Sequence, residues 1–460
     1  MSREVNVDKS NGVLGWFRRR DVVIYPRGWL QIGLLVLVII ANVVANYEGE
    51  LAPVVPILLP FLKLNLIDYG FIVGGTTVVS GIVAMLLGSR FDRYGRTVFI
   101  VLGTFITAIA VFAMVLVHNT LEFIIVRLIM AIVLGLVLPA TTGLVRDFTP
   151  RVGRALGFGL WTFGPVGANF LAAGVAGWTL PIFHDRWQSQ FYIMGTVCLV
   201  ISIVVALFIR DLSPNLRAQI VRNHQDVRTA EKNASRVRGE IANPRLVFAS
   251  FRIWSLAVGI VLFLLVYYFT TAFGPLYLAT VFKYPPAKAA GIASYFWLAN
   301  LASLIVVGVI SDWLQLRKIC SMIGVVGAIV FMFFWIHLIG HTVSVSTMIW
   351  YTSIQGVLLG IGFGPWMALY SETLEDIHPT LQGSGWALWS FAQYVIAGIA
   401  GGLTFVIVGG IGFAGFFYIC MAGMFVYGIV LLGARGPWFK RGGMGLLTHS
   451  HASAQPGAGN

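Results

Sequence analysis

The stretch 66–117, LIDYGFIVGGTTVVSGIVAMLLGSRFDRYGRTVFIVLGTFITAIAVFAMVLV, decides the fold. It contains two apolar runs, 66–88 and 97–117, and each is long enough to cross the hydrocarbon core of a bilayer as a helix. The loop between them carries Arg90, Arg93 and Arg96. Apolar runs that alternate with cationic loops are typical of membrane proteins, in which such loops stay in the cytoplasm.

The composition extends this reading to the whole chain. Of its 460 residues, 58% are hydrophobic and 11% are charged, whereas soluble domains carry about 25% charged residues. A soluble domain cannot bury so large an apolar fraction. Hydrocarbon cannot satisfy an open strand edge, so the apolar runs are predicted to be helices. Twelve runs are long enough to span a bilayer, and they lie at 29–53, 66–88, 97–117, 120–144, 155–178, 189–210, 253–281, 289–311, 318–340, 344–370, 384–408 and 412–434.

One long polar stretch divides these runs six and six, and it predicts the domain organisation. We expect, in order, a cytoplasmic N-terminal segment, a six-helix bundle, a cytoplasmic linker, a second six-helix bundle and a disordered cytoplasmic tail. Their predicted boundaries are 1–28, 29–210, 211–252, 253–434 and 435–460.

The distribution of cations predicts the orientation. With the N-terminus in the cytoplasm, 26 of the 31 Lys and Arg residues fall in cytoplasmic segments, four fall outside, and one, Arg127, lies within a run. This asymmetry places both termini in the cytoplasm of a multi-pass protein of the inner (plasma) membrane. It also accounts for the net charge of +13 without a nucleic-acid partner, because the charges form no single patch.

The sequence offers no pattern for catalysis or metal binding. The spacing of Cys198, Cys320 and Cys420 fits neither a disulfide framework nor a metal site. No H-E-x-x-H, G-x-S-x-G or P-loop motif occurs. We therefore expect no enzyme activity, no metal and no cofactor.

Short motifs recur at matching places in the two halves. GSRFD (88–92) follows the second run and GVISD (308–312) follows the eighth, and cations come after both. GFGLWTF (157–163) opens the fifth run and GWALWSF (385–391) opens the eleventh. Duplicated halves with a binding site between them are a common transporter architecture.

The loop after the second run resembles the loop signature of the major facilitator superfamily, G-x-x-x-D-R-x-G-R. The chain contains this signature in full as Gly88, Asp92, Arg93, Gly95 and Arg96. The resemblance covers nearly the whole chain. It implies an all-α membrane protein of twelve transmembrane helices in two pseudo-symmetric six-helix bundles, which enclose a central cavity and work as a monomer.

The same resemblance implies a cytoplasmic gate. Arg93 and Arg96 can pair with a carboxylate such as Asp147 at the end of the fourth run. Together with Asp312 and Glu372 in the second half, such contacts are expected to close the cytoplasmic side in the outward-facing state and to break when the halves rock.

Arg127 is the first candidate for solute or proton handling. An unpaired charge at this depth costs about 2.5–3.5 kcal/mol, so the side chain should face a cavity or a partner. It resembles the family arginine of the fourth helix that is linked to proton or anion handling. The alternative is a structural arginine that pairs with backbone or with Glu122.

Glu48 and Glu50 are the second candidates. The apolar sequence continues past them, so the first span can bury them, and burial favours the protonated form of a carboxylate. Either could then load and release a proton near neutral pH. The alternative is a solvated pair at the external mouth. Polar and aromatic residues of other runs are candidates for the cavity lining or, alternatively, for packing: Tyr267, Tyr268, Asn300, Gln355, Trp366, Tyr370, Trp389 and Gln393.

The leading functional hypothesis is a proton-coupled symporter of a small organic solute. The segment FGPLYL (273–278) looks like that of metabolite symporters in the family, and an anion is favoured because Arg127 is the only cation identified within a run. The first alternative is a proton-driven exporter of drugs or metabolites, because GPVG (164–167) partly resembles the antiporter motif. A membrane-embedded enzyme and a receptor or scaffold of transporter ancestry are further alternatives. The expected partners are the solute, protons and the lipid bilayer.

Overall fold

The computed structural model describes residues 20–87, 96–149, 154–213, 216, 245–377 and 382–438. Within these ranges the chain is helical, and the one extended pairing is an isolated parallel bridge between Val22 and Leu212. Helices satisfy their own backbone groups, which is what apolar sequence in hydrocarbon requires.

The helices of the first half are α1 (Trp29–Ala45), α2 (Val55–Leu62), α3 (Leu66–Leu87), α4 (Arg96–Ala113), α5 (Thr120–Phe148), α6 (Arg154–Trp161), α7 (Phe163–Ile182) and α8 (Gln188–Phe208). Short 3-10 helices over Asn46–Leu51 and Met114–Leu116 follow α1 and α4. The helices of the second half are α9 (Arg245–Phe248), α10 (Phe251–Phe263), α11 (Leu265–Val281), α12 (Pro286–Leu314), α13 (Arg317–His337), α14 (Val345–Ile377) and α15 (Gln382–Gly433).

Nine helical segments of the described chain are long and apolar enough to cross a membrane. They are Leu66–Leu86, Arg96–Leu116, Thr120–Val145, Gln188–Phe208, Phe251–Val281, Pro286–Leu314, Arg317–His337, Val345–Leu374 and Ser384–Gly433. The apolar helix Trp29–Ala45 is shorter. Large apolar side chains on the outer faces are exposed, among them Ile109 at 65% and Leu207 at 55%. A continuous apolar surface of this kind is one that lipid covers.

Several predicted runs are interrupted in the structure. The run 29–53 is not one helix: α1 ends at Ala45, and a 3-10 helix and a turn lead into α2. Pro53 and Pro56 lie just beyond, and proline cannot donate a helical hydrogen bond. The runs 384–408 and 412–434 correspond to the two helical parts of α15, which are separated at the non-helical residue Gly412, where φ is 72° and ψ is 173°. Only glycine adopts this conformation readily.

The two halves meet along two pairs of helices, α3 with α15 and α7 with α12. In the first pair a Cβ atom on Gly74 would lie 2.7 Å from the Gly402 nitrogen. In the second pair a Cβ atom on Gly177 would lie 2.9 Å from the Gly291 Cα atom. Glycine therefore lets the backbones of the two halves touch at both places.

A short N-terminal segment closes one end of the first half. The Val22 amide donates to the Asp211 carbonyl oxygen at 2.8 Å, and the Ser213 amide donates to the Val22 carbonyl oxygen at 3.0 Å. The Arg20 guanidinium donates to carbonyl oxygens in the last turn of α8, including that of Ala206 at 3.1 Å. A cation at a helix C-terminus satisfies free carbonyl groups and complements the helix dipole.

Candidate functional site

A central cavity of about 230 Å³ lies between the two halves, and both halves line it. Its wall includes residues at three places where a helix is interrupted: Asn46 after α1, Thr162 between α6 and α7, and Leu264 between α10 and α11. Interrupted helices leave backbone groups without helical partners, and transporters use such places to build solute sites. The geometry is that of a binding cavity at the interface of the halves.

The first half supplies the charge of the cavity wall. Arg127, in α5, lines the cavity and is 3% exposed. Its guanidinium carbon lies 5.9 Å from the centre of the Phe123 ring, within the range of a cation–π interaction. Asn46, Thr77 and Asn169 lie on the same wall. This wall therefore offers a positive charge among neutral polar groups.

Glu122, the alternative partner predicted for Arg127, lies in the first turn of α5. Its carboxylate accepts hydrogen bonds from the His118 amide at 2.8 Å and from Asn119 Nδ2 at 2.7 Å. The Asn119 side chain in return accepts from the Glu122 amide at 2.9 Å. This reciprocal arrangement caps the N-terminus of the helix.

The second half supplies an aromatic wall. Tyr267 and Tyr268 line the cavity at the beginning of α11, with ring centres 5.7 Å apart and ring planes nearly perpendicular. The Tyr267 ring also packs against Trp297 at 5.2 Å. The interruption at Leu264 places both tyrosines beside the cavity. Perpendicular ring pairs are a favourable aromatic geometry, so these contacts stabilise the wall.

Three further side chains of the second half line the cavity and carry buried hydrogen-bonding atoms. Asn300 donates from Nδ2 to the Gly356 carbonyl oxygen at 2.8 Å, whereas its buried Oδ1 atom has no partner among the described residues. Trp389 Nε1 and Gln393 Oε1 are also buried, and in the described structure they have no hydrogen-bond partner. Such atoms are unfavourable unless a ligand or water satisfies them. They are the groups most suited to bind a solute.

Trp161 and Trp389, which the sequence repeat placed in correspondence, both line the cavity. Their indole nitrogens differ in environment. Trp161 Nε1 donates to Thr141 Oγ1 at 3.3 Å within the first half. Trp389 Nε1 has no acceptor in the described part of the chain.

Three other candidates for the lining lie away from the central cavity. Trp366 and Tyr370 are fully buried and stack on each other at 5.0 Å. Trp366 Nε1 donates to the Leu256 carbonyl oxygen at 3.1 Å, and the Tyr370 hydroxyl donates to that of Gly385 at 2.7 Å. These two residues therefore pack α14 against its neighbours. Gln355 lines a separate cavity of about 30 Å³ within the second half.

The carboxylates proposed for proton handling fall within the 3-10 helix that follows α1. The backbone of Glu48 and Glu50 belongs to the segment Asn46–Leu51, and their side chains lie outside the described part. Asn46 and Leu51, at the two ends of this segment, both line the cavity.

The loop signature is described only at its last residue, because Gly88, Asp92, Arg93 and Gly95 lie outside the described residues. Arg96 begins α4, and its Nη1 atom donates to Asp147 Oδ2 at 2.5 Å. Its backbone amide donates to Asp211 Oδ2 at 2.9 Å. Because both partners of the ion pair belong to the first half, the pair ties α4 to α5 and does not itself bridge the two halves.

A related cluster closes the corresponding end of the second half. Arg317 begins α13 and donates to Asp312 Oδ1 at 2.7 Å and to Glu372 Oε1 at 3.3 Å. Ser311 Oγ accepts a third hydrogen bond from Arg317 at 2.9 Å. This arginine joins the ends of α12, α13 and α14. The sequence repeat already placed cations after GVISD (308–312), and Arg317 is the first of them, but its contact with Glu372 of α14 could not be inferred from that repeat.

Several cavity residues were not identified from the sequence. Thr77, Asn169 and Tyr394 line the cavity, yet nothing in the sequence distinguishes them from other polar residues of the apolar runs. Their only signal is polarity within a predicted span. Among the described residues, no group of three or more His, Cys, Asp or Glu side chains is placed to hold a metal ion.

The sequence profile of the Major Facilitator Superfamily matches residues 33–402 of the chain. The chain is also similar to the quinolone resistance protein NorA of Staphylococcus aureus, with 26% identity over 163 residues. That alignment covers 35% of this chain and 41% of NorA, so the chain spans less than half the length of this relative.

A longer alignment is found with the cis,cis-muconate transport protein of Acinetobacter baylyi. Identity is 22% over 308 residues, which cover 66% of this chain and 70% of the relative. By their names, one relative is linked to drug resistance and the other transports an organic acid.

Proposed function

The chain belongs to the major facilitator superfamily, a family of membrane transporters, and on this premise we propose that it is a secondary active transporter of a small organic solute. The family match confirms the resemblance found in the loop signature. The solute binds in the central cavity, and access alternates between the two membrane faces as the halves rock. The observation that carries the proposal is a cavity between the halves that pairs one charged wall with one neutral, hydrogen-bonding wall.

We propose a topology of twelve crossings in two six-helix bundles, 29–210 and 253–434. The nine long segments supply ten crossings once the bend at Gly412 divides the last one. The first run and the pair α6–α7 supply the other two. The cation asymmetry supports cytoplasmic termini in the inner (plasma) membrane, with 211–252 as a cytoplasmic linker. The chain works as a monomer in the lipid bilayer and binds no nucleic acid.

The favoured solute is an organic anion. Arg127 lies at the cavity with 3% exposure, and a buried arginine is a strong partner for a carboxylate. Across the cavity, Trp389 Nε1 can donate to the solute, while Asn300 Oδ1 and Gln393 Oε1 can accept from it. The similarity to a cis,cis-muconate transport protein supports an acidic solute.

We propose that transport is coupled to proton entry through Glu48 or Glu50. Both lie between two residues that line the cavity, Asn46 and Leu51. A carboxylate near a buried arginine can exchange its charge partner for a proton as the surroundings change. Release of the proton on the cytoplasmic side then completes a symport cycle. The chain requires no catalytic group or cofactor for this cycle, and we assign it no enzyme activity.

The ends of the halves that carry the arginines form the gate region. The Arg96–Asp147 pair and the Arg317 cluster hold the helix ends of each half together. Each half can then rock as a unit. We propose that the loop residues Gly88, Asp92, Arg93 and Gly95 complete this gate on the cytoplasmic side, with Glu372 as part of its second-half counterpart.

The second candidate function is proton-driven export of drugs or metabolites. It is supported by the similarity to a quinolone resistance protein and by the segment GPVG (164–167) of α7, in which Pro165 lines the cavity. Aromatic walls suit flat, apolar drugs. An exporter would exchange protons for solute instead of moving both in one direction.

Proteoliposomes that enclose a pH-sensitive dye distinguish the two functions. With cis,cis-muconate added outside, symport predicts internal acidification together with uptake of labelled solute. Exchange of internal protons for added solute would alkalinise the lumen and favour the exporter. The Glu48→Gln and Glu50→Gln variants serve as coupling controls, and symport predicts that at least one of them loses the pH signal. If neither variant alters coupling, the assignment of these carboxylates is wrong.

A further inference from the structure

Three cations from three helical elements meet at one end of the second half. Arg252 and Lys318 are the second residues of α10 and α13, and Arg435 lies just beyond the end of α15. Because α15 packs against both α10 and α13, the three side chains come together. Arg435 and Lys318 both lie close enough to Arg252 for their charges to repel it.

Arg252 is incompletely bonded. Its Nε and Nη2 atoms are buried, and neither donates to an acceptor within the described ranges. Guanidinium N–H groups that are removed from water without an acceptor are strongly unfavourable. Their fork geometry matches two oxygens of one anion. The side chain therefore has two N–H groups that an added anion can satisfy once it displaces the contacts that cover them.

The acids at this end of the molecule do not neutralise the cluster. Asp312 and Glu372 are both bound to Arg317. Asp376 is the acid that attracts Arg252. Among the acids that the structure describes at this end, Asp376 is thus the one that acts on the three cations.

Aromatic residues place the cluster at the level of lipid headgroups. Lys318 Nζ lies 4.1 Å from the centre of the Trp438 ring, and it donates to the Ala434 carbonyl oxygen at 2.7 Å. Phe251 and Trp313 are 85% and 74% exposed near the same helix ends. Exposed aromatic rings of this kind mark the boundary between hydrocarbon and water.

We propose that Arg252 and Arg435, with the buried Lys318 adding its charge, bind a phosphate group at the cytoplasmic membrane surface, carried by an anionic phospholipid or free in solution. Basic pockets between transmembrane helices on this side are suited to anionic headgroups. Arginine binds phosphate through two parallel hydrogen bonds, and lysine adds a point charge. The site lies outside the solute cavity, and its cytoplasmic position rests on the proposed topology.

Thermal unfolding of the purified full-length chain in non-ionic detergent tests the site. The probes are dioleoylphosphatidylglycerol, dioleoylphosphatidylcholine, and sodium phosphate matched in ionic strength with sodium chloride. Because a ligand that binds only the native state raises Tm, phosphatidylglycerol is expected to raise it by about 2–5 °C in the unmodified chain. Phosphatidylcholine should have a smaller effect, because its choline group repels the cluster.

The variants Arg252→Gln and Arg435→Gln are expected to lose this shift. Arg210→Gln is the matched control, because Arg210 is an exposed arginine just beyond the end of α8 in the first half; it should keep the shift. If Arg252→Gln fails to fold, Arg435→Gln decides alone, because Arg435 is exposed and outside the helices.

The two sources of the phosphate group give different patterns. A lipid site predicts that phosphatidylglycerol acts and sodium phosphate does not. A site for free phosphate predicts that sodium phosphate alone raises Tm and that Arg435→Gln removes the effect. The proposal is overturned if neither probe shifts Tm, or if Arg435→Gln and Arg210→Gln respond alike. Solute transport does not enter this readout, so failure of the proposed function leaves the test intact.

Discussion

Trp161 and Trp389 occupy matching positions in the two halves, but their indole nitrogens differ in hydrogen bonding. The two walls of the cavity differ in the same way. Trp161 Nε1 donates to Thr141 within its own half, whereas Trp389 Nε1 has no acceptor in the described chain. The first half satisfies its own indole and adds the charge of Arg127. The second half leaves neutral hydrogen-bonding atoms at the cavity. The two halves share a repeated sequence pattern, yet one forms a charged wall of the cavity and the other a neutral one.

The arginine clusters at the helix ends show a similar divergence. In the first half, the Arg96 and Asp147 side chains are each 9% exposed. In the second half, Arg317 is equally buried, but Glu372 is 54% exposed. Burial removes solvent screening, so the first pair should matter more for stability than the second.

The largest expected effect tests this contrast between the helix ends. Asp147→Asn removes a buried charge partner of Arg96 and is expected to destabilise the protein by about 3–5 kcal/mol. Glu372→Gln should cost at most about 1 kcal/mol, because water screens that carboxylate. Thermal or denaturant unfolding in detergent measures both. Equal losses in the two variants would show that the two ends are equivalent.

The next largest expected effect is on solute uptake, when the charge of Arg127 is removed from the cavity wall of the first half. Arg127→Gln is expected to lower kcat/KM for an anionic solute about a hundredfold, because removal of a buried charge partner costs about 2–5 kcal/mol. Initial uptake of cis,cis-muconate by proteoliposomes provides the measurement. Arg127→Lys keeps the charge and should retain more activity than Arg127→Gln. An Arg127→Gln protein with unchanged uptake would remove Arg127 from the solute site.

A smaller effect is expected on the balance of conformations, when the close contact between α3 and α15 is disturbed. Gly74→Ala places a Cβ atom against the backbone of Gly402, and such overpacking costs about 1–3 kcal/mol in this conformation. The population should shift towards states in which α3 and α15 are apart. Gly75→Ala is the matched control, because a Cβ atom there meets nothing within 4 Å.

Reaction of a cysteine introduced at Thr77 with an impermeant thiol reagent reports this shift. In the proposed topology, the outer side should react about tenfold faster in the Gly74→Ala protein, since 1.4 kcal/mol corresponds to a factor of ten. Equal rates in the Gly74→Ala and Gly75→Ala proteins would mean that this contact does not control access.

The smallest expected effect is on KM, when either of the two tryptophans is replaced. Trp389→Phe removes one N–H donor from the cavity and is expected to raise KM about fivefold, as for the loss of about 1 kcal/mol of hydrogen bonding. Trp161→Phe should leave KM unchanged, because its N–H group already has an acceptor in the protein. Uptake kinetics of both variants decide the matter. A larger effect of Trp161→Phe on KM would reverse the assignment of the walls.

Helix positions were largely predictable, because the length of an apolar run is a property of sequence alone. The predicted run 120–144 lies within α5 (Thr120–Phe148), and 318–340 overlaps α13 (Arg317–His337). The interruptions were less predictable. The breaks after Ala45, at Thr162 and at Leu264 depend on how neighbouring segments pack, and composition does not encode that.

The candidate site was predictable only in part. Arg127 could be found because a cation in an apolar run is rare. Trp366 and Tyr370 illustrate the limit, since they lie in α14 away from the cavity and pack against other helices. A helix that is apolar on every face has no polar stripe to reveal which face meets a cavity. The partners of Arg317 likewise required the convergence of three helix ends.

Alternating access to the central cavity is tested most directly by locking one side. Phe71 and Gly402 face each other between the halves, because a Cβ atom on Gly402 would lie 3.6 Å from the Phe71 ring. Cysteines at these two positions can be joined by a short thiol crosslinker, with the three native cysteines, all buried, replaced. A further cysteine at Thr77, blocked during crosslinking by reversible modification, then reports on the cavity. Alternating access predicts that the crosslink abolishes labelling at residue 77 from outside and preserves labelling from the cytoplasmic side. Unchanged labelling from outside would contradict it.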